Sequence, residues 1–227
     1  MTDAPPRRRS FLSHRLAIPA ARHQTLGDSA IAAHLGGADE AAMARRLALI
    51  DLSPLPRIGF KGHGAPQWLK RQGLDLPTRP NEASLQADGS LLLRLSEQEH
   101  LILAAATLAA KPFDGLVASH QRECPTGVYP LPRQDSHAWL LLTGEASPSC
   151  LAKLTAVDIR PDRFAFGDVA QTLMARVSVI LARADLAANT GYHVLCDSAA
   201  VEYLWDCLIE AMVEFGGLPV GLSAVAR

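Results

Sequence analysis

The sequence has little charge of either sign to spare: 22 Lys and Arg face 23 Asp and Glu, for a formal net charge of −1 and a pI of about 6.7. A nucleic acid or an anionic membrane therefore meets no global attractive field. Cysteine is sparse, and Cys124, Cys150, Cys196 and Cys207 form no C-x-x-C pair and no His-neighboured zinc spacing. They read as buried reduced thiols, with Cys207 inside a helical apolar pattern. No run approaches the roughly 18–20 apolar residues that a membrane-spanning helix needs. Arg8-Arg9-Ser10-Phe11-Leu12 opens like a twin-arginine export signal, but His14, Arg15, Arg22 and His23 interrupt the apolar stretch that must follow, so a cytoplasmic chain is expected.

Nucleotide fingerprints are missing too. Gly59-Phe60-Lys61-Gly62-His63-Gly64 follows an apolar run, but its spacing is not G-x-G-x-x-G and no acidic residue follows at the expected distance. There is no Walker loop, G-x-S-x-G elbow or H-E-x-x-H. The eight histidines are dispersed; His63 and His137 alone fall in repeat-equivalent strand regions, where a solvent-facing or core histidine is the simpler reading than a proton-transfer group. No catalytic, cofactor-binding or metal-ligating residue is assigned.

What is present is a globular composition, 48% apolar and 20% charged, with enough chain for a substantial core. Residues 1–37 are rich in Arg, Pro, Ala and His without a period and read as an extended basic arm. Its Arg7-Arg8-Arg9 cluster suits either a solvated tail or a segment that orders along a partner. Residues 38–227 read as one domain, entered through a short helix over 38–49.

That domain carries an internal repeat, over about 50–122 and 133–217. Arg57–Leu69 aligns with Trp139–Leu151: in each an apolar strand runs into a Gly, a Pro follows four residues later, and a Leu three after that. Gly permits a sharp strand-to-helix turn and Pro suits the first helical turn. Downstream, Ser90–Leu95, Glu99–Leu103 and Phe113–His120 in the first copy, and Met174–Arg183 and Tyr192–Cys196 in the second, supply two strands each and a helix. The spacing predicts a final helix capped at Asp197 or Ser198, ended by Gly216-Gly217, with Val201, Leu204, Trp205, Leu208, Met212 and Phe215 on one face. The expected fold is α+β, two ferredoxin-like strand-helix-strand-strand-helix halves joined by a plain connection over Cys124–Pro132.

The last helix also bears Glu202, Asp206, Glu210 and Glu214 at i, i+4 spacing with no Lys or Arg in the helix to relieve them. The stripe reads as a solvated face or as an acidic docking surface. With Arg7, Arg8 and Arg9 it forms the candidate partner interface.

Three segments together resemble the gamma subunit of heterotetrameric sarcosine oxidase: Asp51-Leu52-Ser53-Pro54-Leu55-Pro56-Arg57-Ile58-Gly59-Phe60-Lys61-Gly62, Val169-Ala170-Gln171-Thr172, and Tyr203-Leu204-Trp205-Asp206 through Glu214-Phe215-Gly216-Gly217. The resemblance covers about residues 48–221. It implies a fold similar to the folate-binding region of the glycine-cleavage T-protein. It also implies membership of a complex with alpha, beta and delta partners that carry FAD, FMN, NAD and zinc, oxidise an N-methyl amino acid and pass the one-carbon unit to tetrahydrofolate. The equivalent subunit of N-methylglutamate dehydrogenase fits the same pattern, so the substrate stays open. On this reading the isolated chain is inactive and holds no cofactor. The competing expectations are a free-standing folate-binding aminomethyl transferase and a plain assembly protein.

Overall fold

In the computed structural model the described residues are 8–225 except 38, 111–112 and 187–188. Arg7 and Ala38, which entered the expectations above, lie outside them.

The chain opens with a hairpin of β1 (Arg22–Leu26) and β2 (Ser29–His34), then α1 (Glu40–Arg46) and β3 (Ala48–Asp51). The first half follows as β4 (Arg57–Lys61), α2 (Ala65–Arg71), β5 (Glu82–Leu85), β6 (Leu91–Arg94), β7 (Glu99–Leu103), α3 (Asp114–Glu123) and β8 (Tyr129–Pro132). The second half repeats the order as β9 (His137–Thr143), α4 (Ser147–Leu151), β10 (Val169–Met174), β11 (Val177–Arg183), β12 (Gly191–Asp197), α5 (Val201–Met212) and β13 (Leu218–Pro219).

The two sheets are ordered β5-β6-β7-β4-β8 and β10-β11-β12-β9-β3-β13. These are one topology used twice, with β3 inserted between β9 and β13 in the second copy. The fold is thus α+β with two ferredoxin-like halves. Each half has two strands more than the repeat suggested: β5 and β10, which complete a three-strand meander that returns to the opening strand, and β8 and β13 after the last helices.

The turn chemistry matches in both copies. Gly62 and Gly144 sit at φ of 120° and 112°, a region that side chains avoid. Pro66 and Pro148 occupy the first turns of α2 and α4, where no backbone N–H is needed.

The sheets pack face to face, with helices outside. Leu91, Leu93, Leu101 and Leu103 of one meet Ile50, Trp139, Leu141, Ala182 and Leu195 of the other in a single buried cluster. The outer face of the second sheet packs on α4 and α5 through Leu140, Leu142, Val194, Leu204 and Leu208. The outer face of the first packs on α2 and α3 through Ile58, Phe60, Trp68 and Ile102. At roughly 1.5–3 kcal/mol for each large apolar side chain fully buried, these layers supply most of the driving force for folding.

The extended arm is not what the structure shows. Residues 22–34 are the β1–β2 hairpin, Leu12 and Leu16 are buried with the α4/α5 layer, and Ile31 is buried between the sheets. Apolar residues spaced along this segment seat it in the cores of the domain, which an arm would not reach. The connection Cys124–Pro132 likewise ends in a true edge strand, β8, paired antiparallel to β4. Of the thiols, Cys150 and Cys196 are buried as expected, whereas Cys207 is half-buried and Cys124 is exposed just past α3.

Candidate functional site

The motif Asp51–Arg57 is a crossover: β3 ends it in one sheet and β4 begins in the other. A second crossover, residues 133–136, runs from β8 back to β9. One guanidinium ties the two together. Arg57 donates from Nη1 to the carbonyls of Ser53 (2.8 Å) and Leu55 (3.0 Å), from Nε to Arg133 (3.2 Å), and from Nη2 to Gln134 (2.8 Å) and His137. All five of its N–H groups are thereby used. Gln134 answers from the other side, its Oε1 accepting from the Arg57 amide at 3.1 Å. Burial pulls the Arg57 pKa down to about 10 against the opposing charge of Asp51, which leaves it cationic at neutral pH.

Asp51 is buried beside this knot. One carboxylate oxygen accepts from the Ser53 amide at 3.0 Å, an Asx turn, and the other from the Ser10 hydroxyl. Burial raises its pKa, while the Ser10 and Ser53 hydrogen bonds and the Arg57 charge act against that rise. Asp51 also lines a cavity of about 300 Å³ beside the N-terminal segment, together with Arg9, Leu16, His23, Ala32 and Pro54. With a donor on each oxygen, Asp51 tethers Ser10 to the end of β3.

The buried histidines and thiols are held neutral. Burial depresses His193 to about 4, and its Nδ1 accepts from Trp139 Nε1 at 3.0 Å. Burial and the nearby Arg94 take His100 to about 4 as well. Burial lifts the thiols of Cys150 and Cys196 to about 11 and 12, so neither is a thiolate nucleophile at neutral pH. His137 is shifted down by burial, Arg133 and Arg57. His63 packs its ring over Gly127, where a Cβ would lie 2.1 Å from it. Among the described residues no group of three His, Cys, Asp or Glu side chains is arranged to hold a metal ion, and no helix is long and apolar enough to cross a membrane.

The described residues singled out as a partner interface are spread over the N-terminal segment, α5 and the turn after it, and most are paired within the chain. Arg8 pairs with Asp135, and Arg9 lies at the Asp51 cavity. On α5, Asp206 is bound by Arg15 at 2.9 Å and Glu202 lies near both Arg15 and His14. Glu214 is paired with Lys153 at 3.1 Å, and Glu210 is exposed. The stripe is therefore relieved from outside its own helix, by cations of the N-terminal segment and of the residues after α4. Sequence reading missed the Arg57–Gln134 knot, although Asp51-Leu52-Ser53 is itself an Asx-turn signature.

Two stacked meanders, each opened by a strand, a glycine turn and a proline-started helix and linked by twin crossovers, define a paired-sheet α+β domain. The sequence matches the GCVT N-terminal domain family over residues 78–227, and the chain belongs to that family. It is 32% identical to an aminomethyltransferase of Streptomyces avermitilis over 61% of this chain and 37% of that protein, and 24% identical to one of Chloroherpeton thalassium over 81% and 52%. The chain thus spans between about a third and a half of the curated relatives it matches. Among solved structures, the glycine cleavage system aminomethyltransferase T of Bartonella henselae superposes with a TM-score of 0.72 at 16% identity, over 96% of this chain and 60% of that one. A chain of the heterotetrameric sarcosine oxidase of Corynebacterium sp. U-96, in complex with pyrrole 2-carboxylate, superposes with a TM-score of 0.69 at 21% identity, over 92% and 97%.

Proposed function

We propose that this chain is the gamma-type subunit of a multi-chain oxidoreductase that oxidatively demethylates sarcosine or another N-methyl amino acid and delivers the one-carbon unit to tetrahydrofolate. The observation that carries the reading is the superposition on a chain of the heterotetrameric oxidase, with a TM-score of 0.69 over 92% of this chain, taken with the three segments Asp51–Gly62, Val169–Thr172 and Tyr203–Gly217 that resemble the gamma subunit of such oxidases. In this reading FAD, FMN, NAD and zinc reside on alpha, beta and delta partners, and this chain shapes the assembly.

The test is recovery of tagged full-length chain from its native host, with mass spectrometry of what co-purifies and an absorbance scan. Three partner chains and a flavin spectrum are expected; a colourless monomer would overturn the proposal.

The second reading is a folate-binding aminomethyl transferase acting by itself, favoured by the 32% identity to a protein of that activity. It requires a folate pocket with a well-placed acidic group, and the buried Asp51, which accepts from Ser10 and Ser53, is the acid beside a cavity. Binding of tetrahydrofolate to the isolated chain, followed by fluorescence, would bring this reading forward.

A further inference from the structure

The cavity of about 300 Å³ beside the N-terminal segment holds charges of both signs that the chain itself leaves unpaired. Asp51 is 5% exposed, and among the described residues neither it nor Arg9 enters an ion pair. A carboxylate offers roughly four acceptor positions. The Ser10 hydroxyl takes one and the Ser53 amide another, so acceptor capacity remains. A buried carboxylate with no cation beside it is costly. That cost is visible in Asp51, whose pKa is raised by burial, with the Arg57 charge among the weaker opposing effects.

The rest of the lining separates the two charges. Leu16, Ala17, Ala30, Ala32 and Pro54 supply hydrocarbon walls, and Arg9, an exposed residue, brings its guanidinium to the same cavity. A ligand bearing only a cation would satisfy Asp51 and be repelled by Arg9; one bearing only an anion would meet the reverse. A molecule with a positive end, a negative end and a small apolar body answers all three features. The volume lies at the lower end of small-molecule sites, which run from roughly 300 to 1,000 Å³, and so suits a compact ligand better than an extended one.

We propose that this cavity binds a small zwitterion, an α-amino acid or N-methyl amino acid with little or only apolar side chain, its ammonium donating to Asp51, its carboxylate held by Arg9 and its hydrocarbon against Leu16, Ala30 and Ala32. The inference concerns this chain alone and does not rest on the subunit reading.

The test is calorimetric titration of purified full-length chain with L-valine, sarcosine, isobutylamine and isovalerate. Valine and sarcosine are expected to bind. Isobutylamine lacks the carboxylate and isovalerate the ammonium, and each should bind about tenfold or more weakly than valine. Arg9→Gln changes an exposed, unpaired side chain, so it should melt with wild type, lose on the order of tenfold in affinity for valine and bind isobutylamine no less well. Ala17→Phe, also at an exposed position, narrows the cavity and should abolish valine binding at an unchanged melting temperature. The absence of binding by both zwitterions, or valine affinity unaltered in both variants, would overturn the proposal. Tetrahydrofolate binding that Ala17→Phe abolishes, with no binding of either amino acid, would overturn it in favour of the folate reading. Partner recovery from the native host is a separate measurement, so failure here leaves the subunit reading standing, and a colourless monomer that binds valine would sink that reading alone.

Discussion

His100 is fully buried in β7 with neither ring nitrogen hydrogen-bonded. Such a group gives up its hydration on folding and receives little in return. His193, also buried, at least accepts from Trp139. Both stay neutral in the folded chain, with pKa values near 4, whereas unfolded histidine titrates near 6.5. Below pH about 6.5 the unfolded chain therefore binds more protons than the folded one. Stability contributed by these two groups is complete above that pH and is lost as pH falls toward 4, on the order of 3 kcal/mol for each. Chemical denaturation at pH 7.5 and pH 5 should show this drop. His100→Leu, which keeps the volume and removes the unpaired nitrogens, should raise stability at pH 7.5 by about 1–2 kcal/mol and flatten the acid slope. A variant less stable than wild type at both pH values would mean that His100 has a partner, such as an internal water.

At the scale of elements, the turn between β10 and β11 is the least comfortable in the fold. Ala175 and Arg176 both take positive φ, 49° and 68°, in a two-residue hairpin that favours Asn-Gly. Left-handed backbone costs a side-chain-bearing residue roughly 1–2 kcal/mol. Arg176→Gly should relieve about 1 kcal/mol, raising Tm by about 2–4 °C for a domain of this size; an unchanged or lower melting temperature would locate the strain elsewhere. The same turn explains what the sequence hid. With no Gly, Asn or Pro to mark it, the turn is absorbed into the Met174–Arg183 alternation, and Val169–Leu173 ahead of it goes unread as a strand. β5, four residues of half-exposed Glu-Ala-Ser-Leu, is silent for a different reason, since its apolar residues are too few to show a period. The Gly62/Pro66 and Gly144/Pro148 turns were legible because each residue type there answers a local backbone need. Helix α5 was legible because its apolar face is the one that packs. The Arg57 knot was not, because five carbonyls from two crossovers meet only once both sheets have formed.

At the scale of the whole molecule, the question is whether residues 8–34 are an appendage or part of the cooperative unit. Their composition favours an appendage: basic, rich in Ala and His, and without a period. Their contacts do not. Leu12 is fully buried and Leu16 nearly so in the layer of Leu140, Val194 and Leu204, and Ile31 reaches the cluster between the sheets. Ser10 is bound to Asp51, Arg15 to Asp206, and Glu40 takes amides from Leu35, Gly36 and Gly221. This last carboxylate joins the hairpin to the C-terminal segment, so the first and last described stretches of chain close on each other. The ion pairs are exposed and add little, but truncating a buried leucine creates a cavity that its neighbours fill only in part. Leu12→Ala should therefore cost about 2–5 kcal/mol, as a Leu-to-Ala change does in an ordinary core. Denaturant unfolding should remain a single transition followed by far-UV and tryptophan signals alike, with Trp139 and Trp205 reporting from the second sheet and its helix. An appendage would instead give a change within about 0.5 kcal/mol, the range of surface substitutions.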